Sequence, residues 1–273
     1  MRKRVQIALA VLLGAILGVL VWQIFRFREP VYQGKRLSVW LEQYGTNHWS
    51  AGQSGDLDKQ AEIAIRQIGT NAIPLYLGMM TTTEWPLKIK LMAHIPRQLL
   101  AGFYTRSVYE YRILCADGLI ALGEEAKSAV PALINLLNHR DPDLRYPAVF
   151  ALRSLGPVAS DALPSVIAHL KDADFSVQSD AILGLGEIHQ DPQRVIPILV
   201  EFLSKPQNPQ HSAVIRDSAI WSLRQFGAQA KPALPTLLRL LNDADTHFRS
   251  EVTNTLLVID REAAARAGVR INQ

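Results

Sequence analysis

Seven histidines, one cysteine and a set of recurring Asp/Arg pairs are what this 273-residue chain offers for chemistry. The histidines are His48, His94, His139, His169, His189, His211 and His247. None is followed by glutamate. No H-E-x-x-H, C-x-x-C, nucleophile elbow or phosphate loop occurs. Gly184-Leu185-Gly186 begins like a dinucleotide fingerprint, but no third glycine follows and the run lies inside a helical apolar pattern. Cys115 is alone, which excludes an internal disulfide, and it reads as a small buried hydrophobe. Arg112, Arg145, Arg216 and Arg249 hold one recurring helix position, with Gln178 in the same place. Asp141, Asp174 and Asp245 stand four residues before their Arg or Gln. That spacing puts a pair on one helix face, and aspartate suits a helix N-cap. One active site has no need of several copies, so the pairs read as structure. The expectation is a chain with no catalytic residue, no metal and no cofactor.

The elements that carry these residues come from a repeat. Pro131, Pro164 and Pro197 follow at intervals of 33 residues, and Pro235 comes 38 later. Gly123, Gly156 and Gly227 each stand eight residues before one of these prolines. A fixed period in this range marks stacked helix pairs. Between Arg145 and Lys171 the unit is plain. Leu144, Ala148, Ala151, Leu152 and Leu155 form one helical stripe, Gly156 ends that helix, and Pro164 opens the next. The template also fits Tyr111 to Asn138, Val177 to Ser204 and Ile215 to Asn242. A degenerate copy runs from Gln60 to about Met80, and a half-copy from Phe248 to Ile259. Small residues recur at one position, namely Ala64, Gly118, Ala151, Gly184 and Ser222, where two helix backbones are expected to approach closely.

The strings "VFALRSLGPVASDALPSVIAHL", "IWSLRQFGAQAKPALPTLLRLL" and "DGLIALGEEAKSAVPALINLL" resemble the HEAT repeat family, in the HEAT-like variant named after phycobilisome lyases. The resemblance covers roughly Gln60 to Ile259. It implies an all-α, armadillo-type fold, a right-handed α-α superhelical solenoid, with Asp and Arg bridging neighbouring repeats. HEAT proteins serve as scaffolds, adaptors and occasionally enzymes. The His-Glu iron ligands of HEAT-repeat hydroxylases have no counterpart here. The likeness to phycobilisome lyases holds at repeat level and implies no bilin chemistry.

Charge is unevenly placed. The first 36 residues hold seven basic residues against Glu29, and the remainder holds 22 basic and 24 acidic residues. The solenoid therefore lacks the basic excess that nucleic-acid binding requires, including that of HEAT-like DNA glycosylases. Val5–Phe25 carries no charge and at about 1.5 Å per residue would span a bilayer core. No cleavage site follows it. The expectation is a short basic tail (1–4), a single transmembrane helix (5–25), a juxtamembrane segment with a short helix at Leu37–Tyr44 (26–55), and a solenoid (56–273). The expected location is the inner membrane of a bacterium, with the solenoid weakly placed outside the cytoplasm. An irregular basic, aromatic helical insert is expected at about 81–109. A surface loop is expected in "KPQNPQHSAV".

Solenoids usually bind along the concave surface lined by second helices. Counting from each proline, the outward positions hold Asn135, Asn138, Lys171, Glu201 and Arg239, with His169 beside them as a satisfied buried histidine. Glu201 and Arg239 stand at equivalent places in adjacent repeats, where an ion pair is plausible. The row is mixed in sign and names no ligand. The sequence-level conclusion is a membrane-tethered scaffold or adaptor for a protein partner. A lyase- or hydrolase-like enzyme with a groove site is the alternative, and a nucleic-acid-binding module the third reading.

Overall fold

The structure is a computed structural model that describes residues 29–48, 56–81, 108–204 and 211–269. The Val5–Phe25 segment, most of the 81–109 insert and the start of the loop after Ser204 lie outside these residues. Among the described residues no helix is long and apolar enough to cross a membrane. This corrects the expectation of a single-pass membrane protein with a transmembrane helix. Helices such as Asp56–Ile68 and Pro192–Ser204 carry their apolar residues as one-sided stripes with polar residues on the other side, the pattern of helices that pack on a protein core.

Two compact units are present, Met1–Leu75 and Tyr76–Gln273. In the first, β1 (Val31–Tyr32) pairs antiparallel with β2 (Lys35–Arg36), Val31 opposite Arg36. Gln33 and Gly34 both take positive φ, 48° and 75°, which a two-residue hairpin turn requires. Strands of two residues are too short to show as alternation, so they leave no periodic mark to read. α1 (Leu37–His48) buries Leu37, Trp40, Leu41 and Tyr44, and runs further than the expected short helix. The Trp40 indole donates to the Tyr32 carbonyl at 3.1 Å. α2 (Asp56–Ile68) packs against α1, burying Ala61, Ala64, Ile65 and Ile68. α3 (Ile73–Met80) follows and straddles the division.

In the second unit the helices come in pairs: α4 (Val108–Leu122) with α5 (Val130–Leu137), and α6 (Pro142–Leu155) with α7 (Leu163–Ala168). α8 (Phe175–Ile188) goes with α9 (Pro192–Ser204), and α10 (Ser212–Gln225) with α11 (Leu234–Leu240). α12 (Thr246–Ile259) stands as the half-copy, followed by a short α13 (Arg261–Arg266). Each first helix packs on the next first helix in the order α4, α6, α8, α10, α12. The result is an all-helical solenoid of repeats. Its core is the predicted stripe, with Ala148, Ala151 and Leu152 fully buried. A buried leucine contributes about 1.5–3 kcal/mol.

The punctuation works as the residue types dictate. Gly123, Gly156 and Gly227 take φ of 58°, 57° and 51°, and each opens a seven-residue 3-10 segment. Pro131, Pro164 and Pro235 then sit within the first two positions of α5, α7 and α11. The α8/α9 pair departs from this. His189 occupies the left-handed turn at φ 53° in place of glycine, and its ring stacks on Phe226 at 4.7 Å. α9 starts at Pro192, so Pro197 lies inside the helix rather than opening it.

Candidate binding surfaces

The recurring arginines are placed by α4, α6, α10 and α12, and the aspartates cap α6, α8 and α12. Asp141 accepts from the Asp143 amide, Asp174 from Ser176 and Val177, and Asp245 from His247 and Phe248. The arginines, however, look elsewhere. Arg145 donates from Nε to Asp172 Oδ2 at 2.8 Å and from Nη2 to Asp172 Oδ1 at 2.6 Å. Its Nη1 donates to the carbonyls of His139 and Arg140, both at 3.0 Å. Arg216 donates from Nη2 to Asp243 Oδ2 and lies 3.8 Å over the Phe248 ring. In both cases the acid stands 27 residues further on, in the turn before the next first helix.

A second row runs beside the first. Arg153 faces Asp180 at 3.6 Å, and Arg224 donates to Glu251 at 2.9 Å. The spacing is again 27 residues. Arg112 shows what happens when the acid is missing. His139 stands in its place and accepts the Asp141 amide at 3.1 Å. Arg112 then lies 3.9 Å from Asp141 and donates from Nε to the Met80 carbonyl at 3.0 Å. Gln178, the neutral member, donates to the Leu170 carbonyl at 2.9 Å. Burial acts to raise the Asp172 and Asp243 carboxyls. The hydrogen bonds from Arg145 and Arg216, and from the amides of Asp174 and Asp245, outweigh it and hold both below the ordinary value. Asp180 goes the other way, raised by burial against the pull of Arg153.

Between α8 and α10 no ion pair crosses among the described residues. The contact there is neutral and close. Ser222 donates from Oγ to the Ile182 carbonyl at 2.8 Å, and the Ser179 and Ser218 hydroxyls meet at 3.1 Å. A Cβ built on Gly186 would lie 2.7 Å from Ser222 Cα. Gly184, singled out from sequence as the close-approach residue, has its nearest neighbour at an ordinary 3.4 Å, the Val166 methyl. The glycine that Ser222 needs is two residues further on.

The row predicted on the second helices is exposed at Asn135, Asn138, Lys171, Glu201 and Arg239. Arg239 reaches the Ser204 hydroxyl at 3.3 Å. Asn138 donates to the Ile134 carbonyl at 3.2 Å. His169 is half-buried, with Nδ1 at 2.8 Å from the Ser165 carbonyl. Cys115 is fully buried, and burial pushes its thiol up to about 12. Among the described residues no three His, Cys, Asp or Glu side chains are grouped to hold a metal ion.

Residues 130–224 match the model described as HEAT repeats, and residues 215–243 the PBS lyase HEAT-like repeat. Residues 130–243 are HEAT repeats. No curated protein matches the chain in sequence. Its HEAT repeats are similar to an engineered protein, at 17% identity over 85% of this chain and 97% of that one, with a TM-score of 0.44. The complex of CpcE and CpcF of phycocyanin lyase from Nostoc sp. PCC7120 is similar at 20% identity, over 68% of this chain and 98% of that one, with a TM-score of 0.44. A designed armadillo repeat protein is similar at 13% identity, over 86% of this chain and all of that one (100%), with a TM-score of 0.41. Likenesses of this size say nothing about what the HEAT repeats bind.

The aspartates at 172 and 243 were the functional-looking residues that the four-residue spacing passed over. Their signal lies in the sequence at longer range. Asp172-Ala173-Asp174 and Asp243-Ala244-Asp245 repeat one D-A-D string, and each first aspartate stands 27 residues after an arginine.

Proposed function

We propose that this protein is a scaffold that binds a protein partner and performs no catalysis itself. The observation that carries the reading is where the chemistry-bearing side chains go. Arg145, Arg153, Arg216 and Arg224 each pair with an acid in the next repeat. Asp141, Asp174 and Asp245 cap helices. These groups hold repeat to repeat, and a stack of such repeats presents long surfaces suited to another chain. On the second helices the candidate contact residues are Asn135, Asn138, His169, Lys171, Glu201 and Arg239.

The test replaces Glu201 with a photo-crosslinking residue, and in a second protein Arg239. Crosslinked partners are compared with those from a first-helix position such as Val214, which is exposed. The double variant Glu201→Lys, Arg239→Glu should weaken capture at an unchanged melting temperature. Full capture by that variant, with loss on first-helix changes instead, would refute the second-helix assignment.

A further inference from the structure

The first-helix face holds a column of three rings that runs from solvent into the core. Tyr109 of α4 stacks on Tyr146 of α6, centroids 6.0 Å apart and planes 17° from parallel. Tyr146 stacks in turn on Phe150 at 6.3 Å and 22°. Phe150 is 4% exposed, whereas Tyr109 is 43% exposed.

The inner end of the column is complete. The Arg153 guanidinium lies 5.4 Å from the Phe150 ring and faces the Asp180 carboxylate at 3.6 Å. Ring, guanidinium and carboxylate occur together there. The outer end has two of these three parts. Tyr109 offers the ring. Asp143, exposed and three residues before Tyr146 on the same face of α6, offers the carboxylate. Burial raises the Tyr109 phenol above its ordinary value. The hydrogen bond with Tyr146 works against this, while the carboxylates of Asp143, Asp180 and Asp174 add to it. No cation of the described residues is recorded at this ring.

We propose that Tyr109, Tyr146 and Asp143 form a docking subsite for an arginine side chain carried by an extended segment of a protein partner. A guanidinium stacks flat on an aromatic ring while its N–H fork meets a carboxylate, so it completes the outer end as Arg153 completes the inner one. The proposal rests on the protein-binding reading above, but on a different face.

The full chain is labelled with 3-fluorotyrosine, and its resonances are assigned by single Tyr→Phe changes. It is titrated with the peptide acetyl-Gly-Ser-Arg-Ser-Gly-amide and with the same peptide carrying citrulline, which keeps the shape and loses the charge. The arginine peptide should shift the Tyr109 and Tyr146 signals saturably. Citrulline, Asp143→Asn and Tyr109→Leu should each weaken the apparent affinity by about three- to fivefold. Asp143 is exposed, so that variant keeps the fold and keeps the result interpretable. Equal response to the citrulline peptide, shifts confined to other tyrosines, or an Asp143→Asn titration like the wild type would each overturn the proposal. The titration uses no partner. Its failure leaves the capture result at Glu201 and Arg239 standing, and the reverse holds as well.

Discussion

Arg145 and Asp172, 27 residues apart in the chain, are joined by two parallel hydrogen bonds of 2.8 and 2.6 Å. The side chains are 13% and 6% exposed, so the pair is largely shielded from solvent. Truncating one partner leaves the other buried and unpaired. Arg145→Ala is therefore expected to cost about 1–3 kcal/mol in urea unfolding. Partner capture by the folded protein should not change. Lost capture at an unchanged melting temperature would make Arg145 a binding residue instead.

Acid separates the two kinds of aspartate. Asp172 and Asp243 have carboxyls lowered from 3.8 on folding. A lowered group contributes stability above its unfolded value, and that contribution disappears as pH falls through the folded value. Asp180 is raised on folding, so its contribution is present at low pH and is lost as pH rises through the folded value. The cost of Asp172→Asn should be full at neutral pH and shrink below about pH 4. The cost of Asp180→Asn should run the opposite way, smallest at neutral pH. Melting curves of the two variants between neutral pH and the acid range check this, and parallel pH profiles would contradict it.

Gly186 and Gly184 should respond differently to alanine. At Gly186 the added methyl meets Ser222 Cα at 2.7 Å, a backbone atom that cannot swing aside. Overpacking of this kind costs about 1–3 kcal/mol. At Gly184 the nearest atom is a side-chain methyl at 3.4 Å. There the gain in helix propensity, up to about 1 kcal/mol, offsets the crowding. Chemical denaturation of the two variants decides the order, and an equal cost would mean that the α8–α10 contact yields freely.

His189 holds a left-handed backbone position that four other repeats give to glycine, at Gly69, Gly123, Gly156 and Gly227. His189→Gly and His189→Ala both lose the stack on Phe226. Only alanine keeps the steric cost of positive φ. The glycine variant should therefore be the more stable of the two by about 1 kcal/mol in thermal melts. The reverse order would show that the turn relaxes out of the left-handed region.

The repeat was legible because Pro131, Pro164 and Pro235 and their glycines are local signals, each fixed by its own backbone geometry. The aspartate caps were legible for the same reason. The Arg145–Asp172 pairing was not, because it joins residues brought together only when one helix pair stacks on the next. The four-residue pairing read from Asp141 and Arg145 is geometrically allowed, but the Asp141 carboxylate turns to the Asp143 amide, and Arg145 finds two carbonyls and a second acid. Gly186 was missed for a related reason. Residue size was judged at equivalent positions, whereas the contact with Ser222 is offset by two residues. The candidate partner row rests on exposure alone, which periodicity reveals. Its neighbours across repeats, such as Ser204 beside Arg239, needed the stacked structure.

The uncharged seam between α8 and α10 bears on the order of assembly. Opposite charges attract over roughly 10 Å, so α6 and α8, and likewise α10 and α12, are drawn toward register before they touch. Serine hydroxyls and a bare glycine give nothing until the backbones are already in contact. The seam should therefore close last as the chain folds. Ser222→Ala would then speed unfolding with little effect on the folding rate, while Arg145→Ala and Arg216→Ala would slow folding. Stopped-flow kinetics of these three variants would show whether this chain zips from its charged joints toward its neutral one.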